Sequence, residues 1–223
     1  MKLILNSLFV SLFFVCFSVF AKDVNTTYTV KVSGIKIGKL EWGVKIDKNN
    51  YSNKLKLKSK GLLSALYTFE GEYFSEGVVE NNTLKTKKYR HFWKTRKKTK
   101  NMSLVFDNNK LKSLDQTPIE KEHLRIDVFN VEKTKDPLTS FLQIVMGENS
   151  SLVLDGRRIY TMSANYNNEF KQTIIELINY SNLWADHKRS KFEKIAYEKK
   201  DGDLLPKKIF IYFDGRVFRL EES

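Results

Sequence analysis

The most distinctive polar segment of the chain is Asp155-Gly156-Arg157-Arg158-Ile159-Tyr160, in which two arginines follow a turn signal beside an aromatic residue. A guanidinium can hold a carboxylate or a phosphate through two parallel hydrogen bonds. Arg157, Arg158 and Tyr160 are therefore candidate ligand-binding residues for an anion. Alternatively, the Asp-Gly pair forms a type I′ hairpin turn and the arginines are exposed strand residues. The repetition of the pattern at Asp214-Gly215-Arg216 favours this alternative.

A second candidate binding segment is Lys85 to Lys100, where nine lysines and arginines alternate with Tyr89, His91, Phe92 and Trp93. In an intracellular protein this pattern would suggest stacking on nucleic-acid bases. We expect no nucleic-acid partner here, because the chain begins with an export signal. The remaining explanations are a basic hairpin whose aromatic residues face inward and a patch that contacts anionic lipid headgroups.

Signals for catalysis or metal binding are sparse. The three histidines, His91, His123 and His187, lack metal-ligand spacing, and the sequence contains no HExxH pattern, nucleophile elbow, phosphate-binding loop or dinucleotide fingerprint. The sequence therefore predicts no cofactor and no metal, and it favours a binding protein over an enzyme. A hydrolase whose two carboxylates meet only in the folded chain stays open as an alternative.

The export signal occupies residues 1–21. Lys2 supplies the positive charge, Leu3 to Phe20 is mainly apolar, and Val19-Phe20-Ala21 has the pattern that a signal peptidase cleaves. An uncleaved inner-membrane anchor is the alternative, because the run approaches the roughly 18 residues that span a bilayer. Lipidation at Cys16 is disfavoured, because Val15 precedes it where a small residue is needed. We therefore expect a periplasmic protein whose mature form does not span the membrane.

Removing the signal leaves 202 of the 223 residues, enough for a single β-rich domain over residues 22–223. Cys16 is the only cysteine, so the mature chain can form neither a disulfide nor a thiolate metal site. The net charge is +13, and it falls to +12 without Lys2. This charge either attracts anionic envelope components or reflects the coding bias of an AT-rich genome.

Period-two alternation of apolar and polar residues dominates the mature chain. The clearest case is Lys54 to Lys60, and Asp214-Gly215 is a strong two-residue hairpin signal. The pattern predicts an all-β, mainly antiparallel fold, with a large curved sheet or a partly closed β-barrel that removes its edges.

One short helix is predicted near residues 136–147. Asp136 is the expected N-cap, Pro137 the first helical residue and Gly147 the residue after the end. Its apolar residues form one stripe, so we expect the helix to plug or cover an edge or mouth of the sheet. The stripe consists of Leu138, Phe141, Leu142, Val145 and Met146.

The order of these features resembles a family of exported bacterial proteins known as domain of unknown function 3108. The resemblance covers nearly the whole mature chain and implies a periplasmic or envelope-associated β-rich protein, without an activity. Relatives commonly carry a Cys shortly before the DGRR turn and another downstream, and this chain has neither. The residues that carry the resemblance are Tyr28-Thr29-Val30, Gly34 to Gly38, Lys60-Gly61-Leu62, Asp136 to Leu142, Asp155 to Tyr160 and Leu205-Pro206.

Many predicted strands, abundant large apolar residues and no catalytic set favour a non-enzymatic protein that binds an apolar or amphiphilic envelope molecule in the interior of the sheet. The expected partners are a lipid or another anionic envelope component. The first alternative is a scaffold that docks on an envelope protein complex through its basic face. The second is a hydrolase that acts on envelope glycans or lipids.

Overall fold

The computed structural model describes residues 21–59, 68–184 and 192–223. The predicted signal segment before Ala21, the Lys60-Gly61-Leu62 step and His187 lie outside these residues. In the described part of the chain one α-helix, α1, spans Pro137–Val145, and a short 3-10 helix spans Val128–Asn130. The strands β1 to β14 are Lys22–Val32, Ile35–Ile46, Asn50–Ser59, Phe69–Glu80, Thr83–Thr95, Thr99–Asp107, Lys110–Thr117, Thr134–Lys135, Ser150–Leu154, Arg158–Asn167, Gln172–Asn182, Phe192–Glu198, Lys208–Phe213 and Arg216–Glu222.

All fourteen strands belong to one sheet, which curves into a nearly closed barrel. The chain forms two meanders, β1 to β7 and β14 back to β8, which join where β1 pairs antiparallel with β14. The short strand β8 pairs with β9 in parallel, and the other pairs are antiparallel. Near the two sheet edges, the amide of Thr134 on β8 donates to the carbonyl of Asn109 between β6 and β7 (3.0 Å). The prediction of a mainly antiparallel, partly closed barrel is confirmed.

The connections between strands lie at two opposite ends of the barrel, because the meanders reverse direction at every strand. The helix end carries the turns at residues 47–49, 81–82, 108–109 and 168–171. The arginine end carries the turns at residues 33–34, 96–98, 155–157 and 214–215.

Helix α1 has the predicted ends. Asp136 is its N-cap and Pro137 its first residue, and Asp136 Oδ1 accepts from the amides of Leu138 (2.9 Å) and Thr139 (3.1 Å). The expectation of a single buried stripe was too narrow, because every residue from Leu138 to Val145 is buried, and it was wrong for its last member, Met146, which is exposed beyond the end of the helix. The helix lies within the barrel, so its polar face is buried as well as its apolar face.

Hydrogen bonds to the barrel wall satisfy this buried polar face, as burial requires. The second carboxylate oxygen of Asp136 accepts from the hydroxyls of Ser75 (2.8 Å), Thr86 (2.7 Å) and Thr139. Gln143 Oε1 accepts from the amide of Leu84 (2.6 Å). The helix is therefore fixed to the wall by directional contacts as well as by apolar packing.

The C-terminal carbonyls of α1 also have partners. The Tyr197 hydroxyl donates to the carbonyl of Ile144, and Nζ of Lys199 donates to the carbonyl of Val145 (2.7 Å). A cation at this position complements the negative end of the helix dipole. The apolar residues of α1 join a core cluster whose fully buried members include Tyr28, Val44, Leu84, Leu142, Val153 and Ile175.

Candidate functional site at the arginine end

The turn that carries the candidate arginines is held by its own aspartate. Oδ1 of Asp155 accepts from the amides of Arg157 (2.8 Å) and Arg158 (2.7 Å). Gly156 has a positive φ of +81°, but the φ of Asp155 is not positive. A type I′ turn needs positive φ at both residues, so the turn expected for this Asp-Gly pair does not form here. Asp214 and Gly215 both have positive φ, as a type I′ turn requires. The two Asp-Gly-Arg segments therefore differ, although their sequences look alike.

The turn packs against the inner face of β6. A Cβ atom at Gly156 would lie 2.1 Å from Sδ of Met102, so any other residue would require the Met102 side chain to move, in addition to the strain of the positive φ. Nε1 of Trp184 donates to the carbonyl of Gly156 (3.2 Å), and the amide of Leu183 donates to the carbonyl of Arg157 (2.8 Å). These contacts fix the turn against Met102, Leu183 and Trp184 at the arginine end.

Both candidate guanidiniums lie beside carboxylates of the same chain. Nη2 of Arg157 is 3.0 Å from Oε1 of Glu120, and Nη1 of Arg158 is 3.2 Å from Oδ2 of Asp155. Burial raises the pKa of Asp155, and the nearby Arg158 opposes this effect. Within the described residues, Nε of Arg158 is buried without a hydrogen-bond partner. Anion binding by Arg157 and Arg158 stays a prediction, and a ligand would compete with Glu120 and Asp155.

Tyr160, the third candidate residue, lies in the apolar core. Its side chain is buried and its ring stacks on that of Tyr180, with centroids 6.4 Å apart. Burial raises the pKa of the Tyr160 hydroxyl well above its ordinary value. A direct contact between Tyr160 and a ligand would require movement of the side chains around it.

The aromatic residues of the basic hairpin divide between the two faces of the sheet. Tyr89 is buried in the core beside Met102, and His91 stacks on Tyr73 with centroids 4.4 Å apart. Trp93 stacks on Phe69 at 5.8 Å. Phe92 alternates to the other face. The inward orientation that we considered for this hairpin therefore holds for Tyr89, His91 and Trp93.

His91 connects the two candidate segments. Burial is the main cause that lowers the pKa of His91 to about 4, and the positive charges of Arg157 and Lys100 lower it further. His91 is therefore neutral at pH 7. Within the described residues its Nε2 atom is buried without a hydrogen-bond partner. The folded chain thus brings the arginine turn to the inner face of the basic hairpin.

Lys100 and Glu120 complete what we call the basic cluster. Burial lowers the pKa of Lys100, Arg157 lowers it further, and Glu120 raises it. No sequence motif marks Glu120, and Lys100 stands out in the sequence only as the end of the basic hairpin. The basic cluster consists of His91, Lys100, Glu120, Asp155, Arg157 and Arg158. In the described part of the chain, no group of three His, Cys, Asp or Glu side chains is arranged to hold a metal ion.

The arginine end also contains inward-facing apolar side chains that are only partly buried. Strand alternation points these side chains inward, and they pack against the core without full burial. Leu57 lies opposite the core residue Leu40, and Ile211 lies opposite Phe218. The resulting inner apolar surface consists of Leu57, Leu177, Ile211 and Phe218.

The fold and this site define a barrel-like β-protein with a helix in its interior. The family described as "Protein of unknown function (DUF3108)" matches residues 27–174, which is more than half of the chain. The chain belongs to this family, as the resemblance predicted.

The chain is also similar to a solved structure, described as a beta-barrel-like protein of domain of unknown function DUF1849 from Brucella abortus. The two are 8% identical with a TM-score of 0.46, over 92% of this chain and 98% of that one. No curated protein matches this chain significantly. Among the described residues, no helix has the length and apolar character needed to cross a membrane.

Proposed function

We propose that this protein is an exported binding protein for an amphiphilic molecule with an anionic group. The apolar part of the ligand lies against the inner apolar surface, and its anionic group lies at the basic cluster. Export rests on the signal-like segment of residues 1–21, and the periplasm is the compartment that we propose.

The observation that carries the proposal is a set of partly buried apolar side chains at the end of the barrel that also holds the basic cluster. At the helix end, Leu84, Leu142 and Ile175 are fully buried, although Val24, Ile46 and Val79 near the same end are only partly buried. At the arginine end, Leu57, Leu177 and the other members of the inner apolar surface are only partly buried. An apolar chain seated there would remove this surface from water, which is favourable by about 25 cal/mol per Å².

The electrostatics of the basic cluster support the anionic part of the ligand. Burial lowers the pKa of Lys100, and repulsion between its ammonium group and the Arg157 guanidinium lowers it further. An anion placed among them would relieve this repulsion and would accept charge-assisted hydrogen bonds. A neutral amphiphile would gain only the apolar contact.

Because the helix end is filled with side chains, the binding site that we propose is smaller than the one expected from the sequence. We expected a ligand inside the sheet, but α1 and the core occupy the half of the barrel next to the helix end. The ligand that we propose therefore enters only the half at the arginine end and keeps its anionic group near the mouth.

Binding is tested with dodecyl phosphate and with dodecanol, its neutral counterpart, by calorimetry. Native mass spectrometry and lipid extraction of the purified protein test for a ligand that is already bound. We expect dodecyl phosphate to bind at least about tenfold more tightly, because a charge-assisted hydrogen bond contributes about 1.5 kcal/mol or more. Equal affinity for the two probes, or no binding of either, would contradict the proposal.

A matched pair of variants locates the anionic group. Lys100→Gln with Arg157→Gln should remove the preference for the phosphate. Lys31→Gln with Lys208→Gln removes two other ion-paired cations, whose partners are Glu221 and Glu198, and should leave the preference unchanged. Cell fractionation and the intact mass of the protein test the proposed location and the cleavage after Ala21.

A further inference from the structure

The turns at the arginine end differ in charge from those at the helix end. Exposed cations outnumber exposed carboxylates in and beside the connections of the arginine end, whereas the connections at the helix end contain both charges, such as Asp47 and Lys48 or Glu169 and Lys171. The rim of the mouth that holds the basic cluster therefore carries an excess of cations, although Glu122, Glu193 and Asp214 are exposed there as well. The exposed cations of this rim are Lys36, Arg96, Lys97, Lys98, Lys121 and Arg216.

Apolar side chains are exposed among these cations. Ile35 lies in the β1–β2 hairpin and is 56% exposed, and Val217 and Phe213 are exposed beside the β13–β14 turn. The two hairpins are neighbours, because β1 pairs with β14 and Val32 lies opposite Phe218. Ile119, which follows β7 at the same end, is 83% exposed.

We infer that the arginine end docks on the surface of an anionic lipid bilayer. The cations lie near the headgroups, where each lysine or arginine contributes about 1 kcal/mol, and the apolar tips enter the interface. Nucleic acid fits this end less well, because exposed aliphatic side chains such as Ile35 and Val217 offer neither stacking nor hydrogen bonds to bases. The inference goes beyond the proposed ligand, since docking needs only the outer rim of the mouth.

Co-sedimentation of the purified, processed protein with vesicles tests the inference. The vesicles contain phosphatidylcholine either alone or with phosphatidylglycerol at 30 mol per cent. We expect binding to the anionic vesicles only, with a loss of binding as salt is raised, since salt screens exposed charges. Equal binding to both vesicles would overturn the inference, as would binding to DNA with none to anionic vesicles.

Charge variants identify the end that docks. Lys97→Gln with Lys98→Gln removes two exposed cations at the arginine end, and we expect partitioning to fall about 30-fold. The matched variant, Lys171→Gln with Lys200→Gln, removes two exposed lysines at the helix end, and we expect a change of less than about twofold. Equal losses in the two variants would overturn the placement.

Apolar variants make the same comparison. Ile35→Ser with Val217→Ser should weaken partitioning about tenfold, because both side chains would lose their apolar contact with the interface. Tyr166→Ser with Phe170→Ser removes two exposed aromatic residues at the helix end and should have little effect. Hydrogen exchange with and without anionic vesicles should show protection at the 33–34 and 214–215 turns. Protection at the 168–171 turn instead would overturn the inference.

Discussion

The two ends of the barrel differ in how their interior is filled. At the helix end a whole helix is buried, and its polar groups are matched one by one, as at Asp136 and Gln143. At the arginine end no helix of the described chain fills the mouth, and charged groups lie beside apolar side chains that are only partly buried, such as Leu57. The helix end is therefore filled by the helix and the core around it, whereas the arginine end combines charged groups with partly buried apolar side chains.

The largest effect that would test this comparison is expected from Asp136→Ala. The substitution removes the N-cap of α1 and leaves buried hydroxyls of Ser75 and Thr86 without their acceptor. We expect the free energy of unfolding in urea to fall by about 3 to 4 kcal/mol.

Asp127→Ala is the matched control, because Asp127 caps the exposed 3-10 helix through the amide of Phe129 (3.2 Å). We expect it to cost about 0.5 to 1 kcal/mol. Similar costs for the two caps would show that the helix end does not depend on the Asp136 network.

Leucine truncation measures packing at each end. Leu142 of α1 is fully buried, so Leu142→Ala should cost about 3 kcal/mol. Leu177 on the inner apolar surface is partly buried, so Leu177→Ala should cost only about 1 kcal/mol. Urea unfolding of both variants checks the difference, and equal costs would mean that the arginine end is as well packed as the helix end.

Acid should lower the free energy of unfolding through the protonation of His91. The pKa of His91 is lowered from 6.5 to about 4 in the folded chain, so the unfolded chain takes up the proton first as the pH falls. The stability is therefore unaffected by His91 above pH 6.5, and it falls by about 3 kcal/mol as the pH falls from 6.5 towards 4.

His91→Phe keeps a ring beside Tyr73 and cannot titrate. The difference in unfolding free energy between the wild type and this variant should change between pH 7 and pH 4. Burial raises the pKa of Asp136, whose protonation acts in the opposite direction, but this effect is common to both proteins and cancels. A pH-independent difference would show that His91 is not held neutral by its surroundings.

The smallest effect on stability is expected from Arg157→Ala with Arg158→Ala. Both ion pairs are partly exposed, so the double variant should keep its circular dichroism spectrum and lose about 1 kcal/mol. Lys56→Ala with Lys58→Ala removes two exposed pairs with Glu72 and Glu70 as a control. If the arginine variant unfolds, the arginines are structural and the anion site fails.

The sequence predicted local features correctly where residues close in the chain determine them. Asp136 and Pro137 start α1 as expected, and Asp214-Gly215 has the backbone of the predicted turn. Asp155-Gly156 was misjudged, because the Asp155 carboxylate binds two amides of its own turn and Gly156 contacts Met102 from a distant strand. The same dipeptide therefore adopts two conformations in two surroundings.

The sequence by itself determined the strands, most of their turns and the position of the helix, because alternation and caps act between residues that are close in the chain. It also showed the arginine turn and the basic hairpin as separate candidates. Only the tertiary structure decided that His91 lies near Arg157, that Glu120 pairs with Arg157 and that α1 fills one end of the barrel. These relations depend on the order and curvature of fourteen strands, which bring together residues that no local pattern connects.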